Sequence, residues 1–158
     1  MNITNTKMDS FSVIGITTRT SNKDEFSGAG RIAELWQRFY SENVMTKIEN
    51  KISDKVLAVY HNYESDANGD YSLMIGLMVD KNAHPTSGLT KIDIPAQDYT
   101  QFTSNKGAMP GNIIETWQEI WKSTESKTIN RAYSFDFELY DERAMDPTNS
   151  VIDILIAK

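Results

Sequence analysis

Apolar residues recur along this chain with two periods. In "RIAELWQRFY", Arg31 to Tyr40, the residues Ile32, Leu35, Trp36 and Phe39 fall at i, i+3, i+4 and i+7, the stripe of an amphipathic helix. "NIIETWQEIW", Asn112 to Trp121, repeats the stripe with Ile113, Trp117 and Ile120. The two segments share Ile32/Ile113, Glu34/Glu115, Trp36/Trp117 and Gln37/Gln118 at one constant offset. Pro110 suits the first turn of the second helix, where its missing N–H has no partner to lose. Ser27 and the small residues after it are a weaker start signal for the first.

The flanks carry the shorter period. "FSVIGITTRT" before the first helix and "DYTQFTSN" before the second read as strands. "KVLAVYHNY" and "DYSLMIGLMV" follow the first helix, separated by the turn cluster "ESDANGD". "AYSFDFELY" and "SVIDILIA" follow the second, separated by "DERAMDPTN". Tyr60 matches Tyr140, Val59 matches Leu139 and Asp66 matches Asp146, so strand–helix–strand–strand occurs twice. The expected fold is α+β: two βαββ units related by a pseudo-two-fold, with antiparallel sheet faces packed on two main helices. One domain spans residues 1–158, with repeat one at about 10–80, a connector at 81–95 and repeat two at about 96–158. The connector carries a short alternating run, Leu89 to Ile94, expected to form one edge strand, with Pro95 ending it or sitting at the edge.

Within "FDFELY" the side chains alternate, placing Phe135, Phe137 and Leu139 on one face and Asp136, Glu138 and Tyr140 on the other. The first repeat gives Leu57 and Val59 on the core face, with Val56, Ala58 and Tyr60 opposite. Glu138 is thus the repeat partner of Ala58, a charge where the other half has a small apolar residue. Two readings stand. In one, this second face is solvated, as in many antiparallel sheets. In the other it is covered or forms an apolar cleft, because Val56 and the neighbouring Met74, Gly76 and Met78, assigned to the same face, do not suit water.

Charge and composition narrow the chemistry. The 158 residues carry a formal net charge of −6 and no stripe of Lys and Arg, so the footprint of a nucleic-acid binder is missing. The negative balance favours a cation or a basic partner, and equally serves solubility. With no cysteine there is no disulfide, thiol nucleophile or Cys-based metal site. The longest apolar runs, such as "VIDILIA", fall short of a membrane span, and "MNITNTKMDSFSV" lacks a signal pattern. A cytoplasmic protein is the simplest expectation. His61 and His84 have no partners at metal-ligand spacing, no nucleophile elbow is present, and "SGAGR" lacks the lysine of a phosphate loop. No catalytic residue, cofactor or metal is assigned.

The order "IPAQDYTQF", "IIETWQEIW", "FDFELYDE" and "VIDILIA" resembles the GyrI-like family, the effector-binding domain attached to many AraC- and MerR-type multidrug-responsive regulators. The chain is most similar to stand-alone, integron-cassette-associated members, which lack a DNA-binding domain. The resemblance covers the whole second half, with the first half as its degenerate repeat. It implies a central groove for amphipathic, often cationic, small molecules, with the strand glutamate, here Glu138, facing the groove. Trp117, Tyr140 and Tyr60 are then candidate aromatic walls, with Met109 at the entry to the second helix and Trp36 a weaker case. Each tryptophan also fits an ordinary core position on its helix stripe. The leading expectation is a non-catalytic drug or effector sensor, or a sequestering protein, with no direct nucleic-acid contact, no membrane, and a separate regulatory or other protein as a possible partner. Two alternatives stay open: hydrolysis of strained cyclopropane compounds using Glu138, which the family also suggests, and a protein-interaction module such as a gyrase inhibitor.

Overall fold

The computed structural model describes all residues, Met1–Lys158. In chain order the elements are β1 (Asn2–Met8), β2 (Phe11–Ser21), α1 (Asn22–Ser27), α2 (Ile32–Ser41), α3 (Val44–Lys47), β3 (Lys51–His61), β4 (Asp70–Val79), β5 (Thr90–Ile94), β6 (Gln97–Thr103), α4 (Gly111–Glu125), β7 (Phe135–Tyr140) and β8 (Asp153–Ala157). The six strands of the repeat and both main helices form where the apolar periods place them. Three elements were not expected: β1 and the short helices α1 and α3. The Ser21 hydroxyl accepts from the Asp24 N–H and starts α1, and Gly28 ends it at a φ of 86°. Ser27 therefore closes α1 and does not open α2. The start of α2 is capped by Glu25, whose carboxylate accepts from the Arg31 N–H at 2.7 Å.

All eight strands join one antiparallel sheet in the order β1-β6-β8-β7-β3-β4-β2-β5. Read outward from its centre, one half runs β3, β4, β2, β5 and the other β7, β8, β6, β1, so each strand has its repeat partner at the same distance from the middle. The central pair is in register with Ala58 opposite Glu138 and Leu57 opposite Leu139. Ala58 and Glu138, equivalent in the repeat, are thus also facing partners, and the pseudo-two-fold passes between them.

Short connections bend this sheet. Only Asp9 and Ser10 separate β1 from β2, and only Pro95 and Ala96 separate β5 from β6, although each pair lies near opposite edges. Six strand spacings would put such strands roughly 29 Å apart in a flat sheet. Three Cα steps cover at most about 11 Å. The sheet must curl until its edges approach. Its concave face then buries itself: Phe11 from β2 and Tyr99 from β6 both meet Phe137 of β7 edge-on, at 5.6 and 5.4 Å. Leu57, Val59, Met74 and Leu155 belong to the same inner cluster.

The convex face is covered by helices. Leu35 and Phe39 of α2 pack on Val56, Ala58, Leu73, Ile75 and Leu77, and Ile120 of α4 packs on Phe102, Ile154 and Ile156. Two sequence expectations change here. The Glu138 face is not solvated, since Asp136 is 0% and Glu138 3% exposed. Ile75, not Met74, pairs with Ala58, so Met74, Gly76 and Met78 lie on the inner face. Both faces are apolar because both are covered, one by curling and one by helices.

Gly15 and Gly76 face each other across β2 and β4. A Cβ on Gly15 would stand 2.0 Å from the Ile75 carbonyl oxygen, and one on Gly76 would stand 2.2 Å from that of Ile14. These are backbone collisions, which no side-chain rotation relieves. Gly15→Ala is expected to cost about 1–3 kcal/mol, read as a lowered urea midpoint. An unchanged midpoint would show that the two strands can separate freely.

Candidate functional site

A cavity of about 630 Å³ opens on the convex face between α1, α2 and α4, with Glu138 on its floor. Its size suits a small organic molecule. Of 18 lining residues 13 are hydrophobic, and the largely exposed Phe26 and Ile114 mark its mouth. Phe26 of α1 meets Trp121 of α4 edge-on at 5.6 Å, so the unexpected helix α1 joins the two halves over the cavity.

The carboxylate is held by three neutral donors. Tyr60 Oη donates to Glu138 Oε2 at 2.9 Å, Trp117 Nε1 donates to the same oxygen at 2.7 Å, and Tyr140 Oη donates to Oε1 at 2.6 Å. Tyr60 and Tyr140 are repeat partners, so one tyrosine from each half grips one oxygen of a group on the axis. The tryptophans follow the same symmetry. Trp117 packs against Tyr60 and Trp36 against Tyr140, each edge-on with 5.1 Å between ring centroids. Each tryptophan therefore seats the tyrosine of the opposite half and lines the cavity while packing on the core.

No lysine, arginine or histidine pairs with Glu138. Its neighbour on the same face, Asp136, is treated differently. Asp136 pairs with Arg131 at 2.8 Å and accepts from Tyr63 Oη at 2.6 Å and from the Ala157 N–H at 2.8 Å. One buried carboxylate is thus neutralised and the other is not. Burial pushes the Glu138 carboxyl above the usual carboxylate range, and the hydrogen bonds from Tyr140, Trp117 and Tyr60 pull it part of the way back. Burial and the adjacent carboxylate also push the Tyr60 and Tyr140 phenols well up, which keeps both as donors.

Of the residues singled out from sequence, Glu138, Trp117, Tyr140, Tyr60 and Trp36 come together on this cavity. Met109 does not line it. Its N–H donates to the Pro147 carbonyl at 2.8 Å, and the following residue, Pro110, reaches the lining in its place. Sequence reasoning missed Trp121, Tyr71, Tyr63 and Arg131. Trp121 was accessible in principle, one helical turn beyond Trp117 on the same stripe.

An axial, uncompensated carboxylate inside an aromatic cavity, on a duplicated βαββ sheet, defines an effector-binding type of fold. The chain belongs to the Cass2 family of integron-associated effector binding proteins, whose model matches residues 6–157. It is 33% identical over 153 residues to YobU of Bacillus subtilis (strain 168), which carries the name of a transcriptional regulator protein, covering 96% of this chain and 94% of that one. It is 28% identical to the transcriptional regulator BrlR of Pseudomonas aeruginosa, where 92% of this chain spans only 51% of the relative. Among solved structures, the integron cassette protein VCH_CASS2 from the mobile metagenome of Vibrio cholerae superposes with a TM-score of 0.77 at 29% identity, covering 98% of this chain and 94% of that one. SAV2435 bound to tetraphenylphosphonium shares the fold with a TM-score of 0.79 at 21% identity, over 99% and 93% of the two chains.

The raised Glu138 pKa has a defined sign in stability. The folded protein holds this proton more tightly than the unfolded chain. The resulting stabilisation is full below the unfolded value and is lost as pH rises through the folded one. Glu138→Gln removes that loss and keeps the shape. Relative to wild type, the melting temperature of Glu138→Gln should therefore rise as pH increases from about 4 upward. A wild type that gains on the variant with rising pH would contradict the burial argument.

Proposed function

We propose that this protein is a non-catalytic binding protein for amphipathic cations, acting as a sensor or a sequestering protein. The observation that carries this reading is the Glu138 carboxylate: buried, fully oriented, and without a protein cation. A carboxylate offers about four acceptor positions, and three are filled by neutral donors. The remaining acceptor position and the uncancelled charge favour a ligand that brings its own positive charge. The rings of Tyr60, Trp117, Tyr140 and Trp36 add apolar surface and cation–π attraction of about 0.5–2 kcal/mol per contact. The amphipathic cation bound by SAV2435 and the regulator names of YobU and BrlR support the same reading. On this reading any message to DNA passes through a separate partner, in keeping with the net charge of −6.

The two phenols in contact with Glu138 are held well above their usual range, which keeps Tyr60 and Tyr140 as fixed hydrogen-bond donors. Binding, not turnover, is what this group of donors supports.

Calorimetric titration with tetraphenylphosphonium and with neutral triphenylphosphine oxide tests the charge preference. The cation is expected to bind at least about ten-fold tighter, the scale of one charge-assisted interaction. Glu138→Gln should erase most of that preference while the protein stays folded, and the wild-type preference should strengthen with pH as Glu138 ionises. Equal affinity for the two probes would sink the charge-based reading. Consumption of the bound compound over hours, followed by mass spectrometry, would replace the binder with an enzyme.

A further inference from the structure

Arg131 also lines the cavity, and its hydrogen bonding is incomplete. Its side chain is 3% exposed. Nη2 donates to Asp136 Oδ2 at 2.8 Å, whereas Nε is buried with no partner. The guanidinium lies 4.3 Å from the Tyr133 ring centroid and 6.0 Å from that of Trp117, the same tryptophan that donates to Glu138. Asp136 and Tyr133 thus fix the planar group in place before any ligand arrives. Guanidinium carries five N–H donors, and only one is satisfied by a protein acceptor.

We propose that Arg131 is a second recognition point of this cavity, a hydrogen-bond donor to a carbonyl-type acceptor on the molecule whose cation meets Glu138. The proposal rests on reading the cavity as a cation site. A neutral acceptor fits better than a second carboxylate. Asp136 already balances the Arg131 charge, and Glu138, two residues further along the same strand face, would repel an anion. The strand also sets the spacing. Asp136 and Glu138, alternate residues on one face, are about 7 Å apart, and Arg131 is held at the first of them, so acceptor and cationic centre belong on that scale of separation. A cation bearing a para-carbonyl on an aromatic arm spans a comparable distance.

Three probes separate the possibilities: tetraphenylphosphonium, (4-acetylphenyl)triphenylphosphonium and (4-isopropylphenyl)triphenylphosphonium. The last two have nearly the same shape, and only the acetyl group accepts a hydrogen bond. Wild type is expected to bind the acetyl probe about ten-fold tighter than the isopropyl probe by calorimetry. Arg131→Lys keeps a cation beside Asp136 but loses the planar fork, and it should abolish that preference while binding tetraphenylphosphonium within about two-fold of wild type. If Arg131→Lys does not fold, the double variant Arg131→Gln with Asp136→Asn replaces the ion pair by a neutral one and is read the same way. Parity between the two para-substituted probes in wild type overturns the proposal while leaving the cation site standing. So does loss of both while tetraphenylphosphonium binds, or an acetyl preference that survives in the variants. Failure of all three probes to bind wild type overturns the cation site itself, and this inference with it.

Discussion

The structure turns on one buried carboxylate that no protein cation neutralises. Moving an ionised carboxyl out of water costs several kcal/mol even after relaxation, so Glu138 is tolerated only because its surroundings are built around it. Three neutral donors orient toward its two oxygens. They come from a strand of one half, and from a strand and a helix of the other. The group can be held only if both halves and the helix layer are in register, which links the local chemistry to the architecture of the whole sheet.

The comparison with Asp136 shows what that arrangement achieves. Both acids share one face of β7 and both are buried. Asp136 has an arginine, a tyrosine and a backbone N–H, so its charge is spent inside the protein. Glu138 has dipoles only. Dipoles orient a charge without cancelling it, and an apolar surround strengthens whatever attraction remains. Breaking a neutralised pair would leave a stranded charge, whereas adding a cation at Glu138 removes one. On the proposed reading, Glu138 is the one of the two carboxylates that gains from a cationic ligand.

Much of the fold was legible because the repeat constrained it twice. A strand or helix expected in one half was checked by its copy in the other, so the six repeat strands and both main helices stand where the periods put them. Glu138 was legible for the same reason, as a departure from its counterpart Ala58. Outside the repeat the reading was thinner: β5 was expected from its own alternation, whereas its counterpart at the other edge, β1, was not. The helix α1 has no partner of matching pattern in the second half, yet it brings Phe26 and Glu25 to the cavity. The assignment of Met74 and Met78 failed for a different reason. Alternation tells which residues share a face, but with both faces apolar it cannot tell which face belongs with which in the neighbouring strand. That register came from the pairing of Ala58 with Ile75. Arg131 escaped because its role depends on a partner five residues away across a turn, a spacing that belongs to neither period.

Duplication explains why the site can hold a charge at all. Two identical chains meeting about this axis would have to place the same residue on both sides, with directly opposed Cα atoms about 4.5–5.5 Å apart. Two glutamates there would repel, and the pair would keep a proton between them, so much of the negative charge would be lost near neutral pH. Two alanines would leave no charge. Joining the halves in one chain lets position 58 remain alanine while position 138 becomes glutamate. The surrounding aromatic residues stay nearly symmetric: two tyrosines, two tryptophans, and matching contacts between them. The fold therefore keeps a nearly symmetric aromatic cage and breaks the symmetry on its axis, where Glu138 faces Ala58. That break turns a cavity between two equivalent halves into a site with one defined electrostatic centre.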